Sequence, residues 1–184
     1  MENSPVTPKP RLKNPAMLVP EAMAPLQSLG QLLGQLRGAP ARALSLAMLR
    51  TSQLNGCALC LDGACRLLRG FGETDERLFA VSAWRESTRF TGPERAALAL
   101  AEAMTRLSDR TDPVPDTVWD EAARHFPERE LAFLVLGIAT QNLYNRVNVT
   151  TRQVAEEWAG GEDSASSPKG DGDAARPWSA KSPT

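Results

Sequence analysis

Between residues 20 and 149, apolar side chains recur at steps of three and four, and no useful length of the chain alternates with period two. That pattern calls for helices throughout and leaves nothing from which to build a sheet. The stretch "PEAMAPLQSLGQLLGQL" sets Met23, Leu26, Leu29, Leu32, Leu33 and Leu36 along one helical face. A second helix follows Pro40, with Leu44, Ala47, Met48 and Thr51 on its apolar side. A third starts after Asn55-Gly56 and stops at Gly70, and "TDERLFAVSAWRES" predicts a short fourth with acidic residues in its first turn. Thr91 and Glu94 match a capping box that opens "PERAALALAEAMTRLSD". "PDTVWDEAARHF" reads as a short amphipathic helix, and Pro127 separates it from a long apolar one over about Glu128–Val149. No repeat of solenoid length is present. The expectation is an all-α fold, a compact bundle of about seven helices.

The ends have a different composition. Residues 1–16 carry four prolines and predict an extended arm. Residues 17–158 form the helical domain, and residues 159–184, rich in Gly, Ser and Pro, read as a disordered tail. Trp178 in that tail is expected to be a lone exposed aromatic. The chain of 184 residues is 42% hydrophobic and 23% charged, with a formal net charge of -1. This balance gives no electrostatic reason for a nucleic-acid partner or an anionic membrane surface. The longest apolar run, Leu131–Ala139, is too short to span a bilayer, and the N-terminus lacks the apolar segment of a secretory leader. Three cysteines make a poor extracellular disulfide framework, so a cytoplasmic location is expected. Because the last long helix is apolar on nearly every side, two readings stand: oligomerisation through it, or a central core position in a monomer.

All three cysteines fall within "SQLNGCALCLDGACRLLRG". A closed zinc site needs four N or S ligands, and His125 lies 60 residues beyond Cys65; an iron–sulfur cluster also wants a fourth thiolate. A redox role has positive physics behind it. Cys57 and Cys60 are neighbours on a helix surface, and the unpaired N–H groups at a helix start stabilise a thiolate. On this reading Cys57 is the more exposed thiol, although the spacing alone does not say which one attacks. Two cysteines packed as small apolar residues remain the alternative. Cys65 lies roughly 80° around the helix from Cys57 and is expected to pack.

The string "LRTSQLNGCALCLD" resembles the signature of the alkyl hydroperoxidase D-like branch of the carboxymuconolactone decarboxylase family. The resemblance continues through "ETDERLFAVSAWRES", "FTGPERAALALAEAMT" and "VPDTVWDEAARHFPERELAFLVLGIATQNLYNR", covering about residues 17–150. It implies an all-α protein assembled as a trimer or hexamer, working as a thiol peroxidase or disulfide reductase with no metal or organic cofactor. Its partners would be a peroxide or disulfide substrate and a dithiol or protein electron donor. Cys60 and Cys57 match the two catalytic cysteines, Cys60 as the peroxidatic thiol and Cys57 as the resolving one.

Two further positions of the family pattern depart. The active peroxidases carry glutamate where this chain has Ser45 and histidine where it has Ala64. Ala64 falls one turn after Cys60 and roughly −20° from Cys57, where a base could serve both thiols. Asp62 points off that face and belongs to the family pattern, so it is not a substitute base. His125 is expected to complement a helix C-terminus. Asn142, Tyr144, Asn145 and Arg146 match a polar cluster of the family's last helix; two readings stand, lining a cavity near the cysteines or, ranked above it, stabilising the turn or an interface. Trp84, Arg85 and Glu86 are expected to be structural. Three function classes follow: a thiol-dependent peroxidase or disulfide reductase; a non-catalytic or redox-sensing helical oligomer; and, ranked below both, a decarboxylase-like activity, whose chemistry does not call for a C-x-x-C.

Overall fold

The computed structural model describes residues 9–109 and 111–155. Among these residues the protein is all-helical, with eight α-helices. They are α1 (Pro15–Leu18), α2 (Pro20–Leu33), α3 (Gly38–Asn55), α4 (Ala58–Gly70), α5 (Asp75–Ala80), α6 (Gly92–Thr105), α7 (Asp116–His125) and α8 (Glu128–Thr151), with single 3-10 turns at Val81–Ala83 and Leu107–Asp109. The tail read as disordered, with Trp178, lies outside the described residues, as do residues 1–8.

The helix not anticipated is α1. The Asn14 side chain accepts a hydrogen bond from the Ala16 N–H, and Pro15 occupies a first-turn position where its missing N–H costs nothing. Before α1, the described residues 9–14 contain a bend over 11–13 and are pinned to the segment after α8 and its last turn, through Arg11 N–H to the Thr151 carbonyl at 2.9 Å and Gln153 Nε2 to the Leu12 carbonyl at 2.9 Å.

Helix α3 is the hub, packing against α6, α8 and α4, while α7 lies on α6. It reaches two apolar clusters. One joins α3, α6, α7 and α8 through Leu44, Leu100, Phe126, Leu134 and Ile138. The other joins α3 to α4, α5 and α6 through Leu46, Leu49, Leu68, Val81 and Leu98. Burying each such side chain contributes about 1.5–3 kcal/mol. Small residues keep the helices close: Ala43, Ala47, Ala97 and Ala101 lie in the first cluster.

The capping box forms as expected. Thr91 Oγ1 accepts from the Glu94 N–H, and Glu94 Oε2 accepts from the Thr91 N–H at 2.8 Å. Helix α4 ends at Gly70, but the glycine in the left-handed region lies two residues further on, Gly72 at φ 82°. Helix α8 is central rather than peripheral. Leu131, Leu134 and Ile138 are buried, yet Leu136 and Leu143 are 46% and 41% exposed, leaving an apolar stripe with Ala132 and Ala139. No helix among the described residues is long and apolar enough to cross a membrane.

Candidate functional site

The site is built at the corner between α3 and α4. Helix α3 stops because Gly56 takes the left-handed conformation at φ 65°, which only glycine adopts at no steric cost. That turn brings the Cys57 N–H back to the Ser52 carbonyl at 3.1 Å and directs the chain into α4. Cys57 is then the N-cap of α4, its sulfur accepting from the Cys60 N–H at 3.3 Å. Cys57 and Cys60 form a disulfide with Cα atoms 5.3 Å apart. The sequence reading made Cys57 the more exposed thiol; both cysteines are 2% exposed. The reason lies in α8, which packs beside α4 and reaches the pair from across the fold.

That contact comes from a polar ladder on an otherwise apolar helix. Gln141 Nε2 donates to Ser52 Oγ at 2.9 Å and Asn145 Nδ2 donates to the same oxygen at 3.2 Å. Asn55 Nδ2 donates to Asn142 Oδ1 at 2.9 Å and to Asn145 Oδ1 at 3.0 Å. Two turns of α8 therefore hold the last turn of α3. Further along, Asn148 Nδ2 lies 3.3 Å from Cys60 Sγ and donates to it. Buried amides are retained where each finds a partner, and Asn145, with no exposure, is bonded at both ends. Tyr144 instead reaches α2, its hydroxyl donating to the Leu26 carbonyl at 3.2 Å, and Arg146 is exposed.

Gln141 and Asn148 were absent from the sequence-derived site. A signal was there: Gln141, Asn145 and Asn148 stand at i, i+4 and i+7, a polar line on one face of a long, largely apolar helix.

The two relay positions carry no proton-handling group. Ser45 is buried in α3 and its hydroxyl donates to the Ala41 carbonyl of its own helix at 2.9 Å. Ala64 packs against the apolar cluster of Leu46 and Leu49. Asp62 is tied to Arg66. His125 ends α7 and pairs with Glu121 at 3.0 Å. Cys65 is free and half-buried against the same cluster as Ala64. Burial pushes its thiol up, and the neighbouring Asp62 and Asp75 add to this against the opposing pull of Arg69. The raised value favours the protonated thiol over the nucleophilic thiolate.

Trp84 and Arg85 bind a carboxylate. Buried Glu102 accepts from Trp84 Nε1 at 3.0 Å, from Arg50 Nε at 2.8 Å and from Arg85. Burial pushes the Glu102 carboxyl up, but the bonds from Arg85, Trp84 and Arg50 outweigh it and hold the group below its ordinary value. Glu86 is exposed.

An all-α bundle with a buried C-x-x-C disulfide at the start of one helix defines a protein of the alkyl hydroperoxidase D-like class. Comparison with known sequences and structures agrees. The family profile described as "Carboxymuconolactone decarboxylase family" matches residues 20–103. An uncharacterized Bacillus subtilis protein, YdfG, is 36% identical over 104 residues, covering 56% of this chain and 69% of its own. A protein of unknown function from Agrobacterium tumefaciens, with a proposed AhpD antioxidant-defence role, superposes with a TM-score of 0.72 at 32% identity, over 79% of this chain and 97% of that one. The apo form of the debrominase Bmp8 has a TM-score of 0.65 at 20% identity, covering 74% and 72% of the two chains, a likeness of fold. The chain belongs to the carboxymuconolactone decarboxylase family. Its Cys57–Cys60 pair is compatible with a redox function.

Proposed function

We propose that the protein is a thiol-dependent oxidoreductase that cycles Cys57 and Cys60 between dithiol and disulfide while reducing a peroxide or a disulfide. The single observation that carries this reading is the disulfide at the N-terminus of α4, with one sulfur capping the helix. The Cys60 thiolate attacks one oxygen of a hydroperoxide; the O–O bond breaks, the alkoxide leaves and takes up a proton, and Cys60 becomes a sulfenic acid. The Cys57 thiol then attacks that sulfur, water leaves, and the disulfide closes. A dithiol donor attacks the disulfide, leaving two thiols on the protein and a disulfide on the donor. No cofactor takes part in these steps.

A second reading is favoured by Ser45 and Ala64 together with the burial of both sulfurs. In it the protein is a helical oligomer that senses redox state without turning over. The oligomer, a trimer or hexamer, would cover the exposed stripe of Leu136 and Leu143, and sedimentation velocity measures its size.

Stopped-flow mixing of the reduced protein with an organic hydroperoxide separates the readings. Consumption that exceeds free thiol and vanishes in Cys60→Ser is the result expected of the peroxidase. Consumption no faster than free thiol removes that activity. Thiol trapping that still shows a reversible disulfide then leaves the sensing role.

A further inference from the structure

We propose that Asn148 is a thiolate-stabilising residue, whose side-chain amide holds the Cys60 sulfur and thereby decides which of the two thiols is the stronger nucleophile. The proposal rests on the dithiol reading above and deepens it. Two hydrogen bonds reach the pair among the described residues, one to each sulfur. Cys57 accepts from a backbone N–H at the start of α4, and Cys60 accepts from Asn148. The first is a property of any helix N-terminus and by itself favours Cys57 as the anion. The second comes from a residue 88 positions away, on a different helix.

Asn148 is well placed for this role. It is 7% exposed, and it continues the line of Gln141 and Asn145, both bonded to Ser52, so α8 is fixed in register against the corner that carries the cysteines. An amide has no charge to lose between acid and alkaline pH, so it donates whether or not a base is present. Donation to an ionised sulfur is stronger than donation to a neutral one, so the contact favours the thiolate. It cannot accept the thiol proton, which goes to solvent. The chain thereby keeps the electrostatic half of a relay at a position where Ala64 supplies no base.

Charged groups on the surrounding helices are engaged or turned outward. On α4, Asp62 is paired with Arg66; on α3, Arg50 is bound to Glu102; beside Asn148, Arg146 on α8 and its cap Arg152 are exposed.

The test is iodoacetamide alkylation as a function of pH on reduced full-length protein, with one cysteine of the pair present at a time. In a Cys57→Ser background, Asn148→Leu is expected to slow Cys60 alkylation at pH 7 about tenfold and to move its profile to the alkaline side. Asn148→Asp, isosteric and acceptor-bearing, moves it further the same way. In a Cys60→Ser background Asn148→Leu leaves the Cys57 profile in place, and Asn148→Asp, whose charge reaches both sulfurs, moves it less than it moves that of Cys60. A Cys60 profile indifferent to both substitutions, or an equal displacement of Cys57, overturns the proposal. Should Asn148→Leu not fold, the unsubstituted amide decides: its side-chain N–H resonances must titrate with the Cys60 alkylation midpoint, and flat resonances sink the idea. The assay needs no peroxide. A protein without peroxide turnover whose Cys60 still responds to Asn148 loses the peroxidase reading alone; one with turnover and no response loses this proposal alone.

Discussion

Gly137 of α8 lies so close to Leu44 of α3 that a Cβ at position 137 would stand 2.5 Å from Leu44 Cδ1 and 3.3 Å from its Cγ. At this point the Leu44 side chain of α3 packs directly on the backbone of α8, the helix that carries the polar ladder, with no α8 side chain between them. Leu44 is 4% exposed, so it has little room to yield. Gly137→Ala is therefore expected to cost about 1–3 kcal/mol despite the better helix propensity of alanine. Urea unfolding measures it; a neutral or stabilising effect would show that the core can repack around Leu44.

Asn145 links α8 to the α3 corner at both ends of its amide. Asn145→Leu leaves the buried Ser52 hydroxyl and the half-buried Asn55 amide each short of one partner. The expected loss is about 1–3 kcal/mol. Exposed Arg146, its neighbour in sequence, should change stability by less than about 0.5 kcal/mol on truncation to alanine. Equal losses at the two positions by denaturant titration would mean that the ladder does not hold the corner.

The contrast between these neighbours shows what was legible in the sequence. Helix order, the capping box at Thr91 and the dithiol at a helix start are local: each is set by residues a few positions apart, so periodicity and capping rules expose them. The burial of Cys57 and the donor on Cys60 depend on where α8 crosses α4, which no local spacing encodes. Asn148 also follows Asn142 and Asn145 at steps of three, so the polar line was visible, but its target was not. The short helix α1 was missed because proline density suggests an extended arm, whereas one proline after an Asn cap starts a turn.

Glu102 makes stability depend on pH. Its carboxyl is held below the ordinary value in the folded protein, so the folded state loses its proton first as pH rises. The stabilisation is fully present above the ordinary carboxylate value and disappears as pH falls through the depressed one. Glu102→Gln removes the charge facing Arg50 and Arg85 and is expected to cost about 1.5–3 kcal/mol at pH 7. The gap between the two proteins should stay constant down to the ordinary glutamate range and narrow below it. Melting curves across acid pH check this, and a gap that persists at the lowest pH contradicts it.

Ser45 and Ala64 offer a gain-of-function test. The Ser45 hydroxyl is spent on its own helix, and Ala64 fills an apolar contact, so neither position moves a proton now. Ser45→Glu alone places a carboxylate among buried residues and should destabilise, as should an unpaired imidazole from Ala64→His. If the two side chains pair, the double variant should be more stable than the sum of the single effects predicts. It should also raise Cys60-dependent hydroperoxide consumption by about 10², the low end of what a positioned acid–base group contributes. The gain must vanish in Cys60→Ser. A folded double variant with no gain would contradict the idea that a missing acid–base pair at these two positions limits the chemistry.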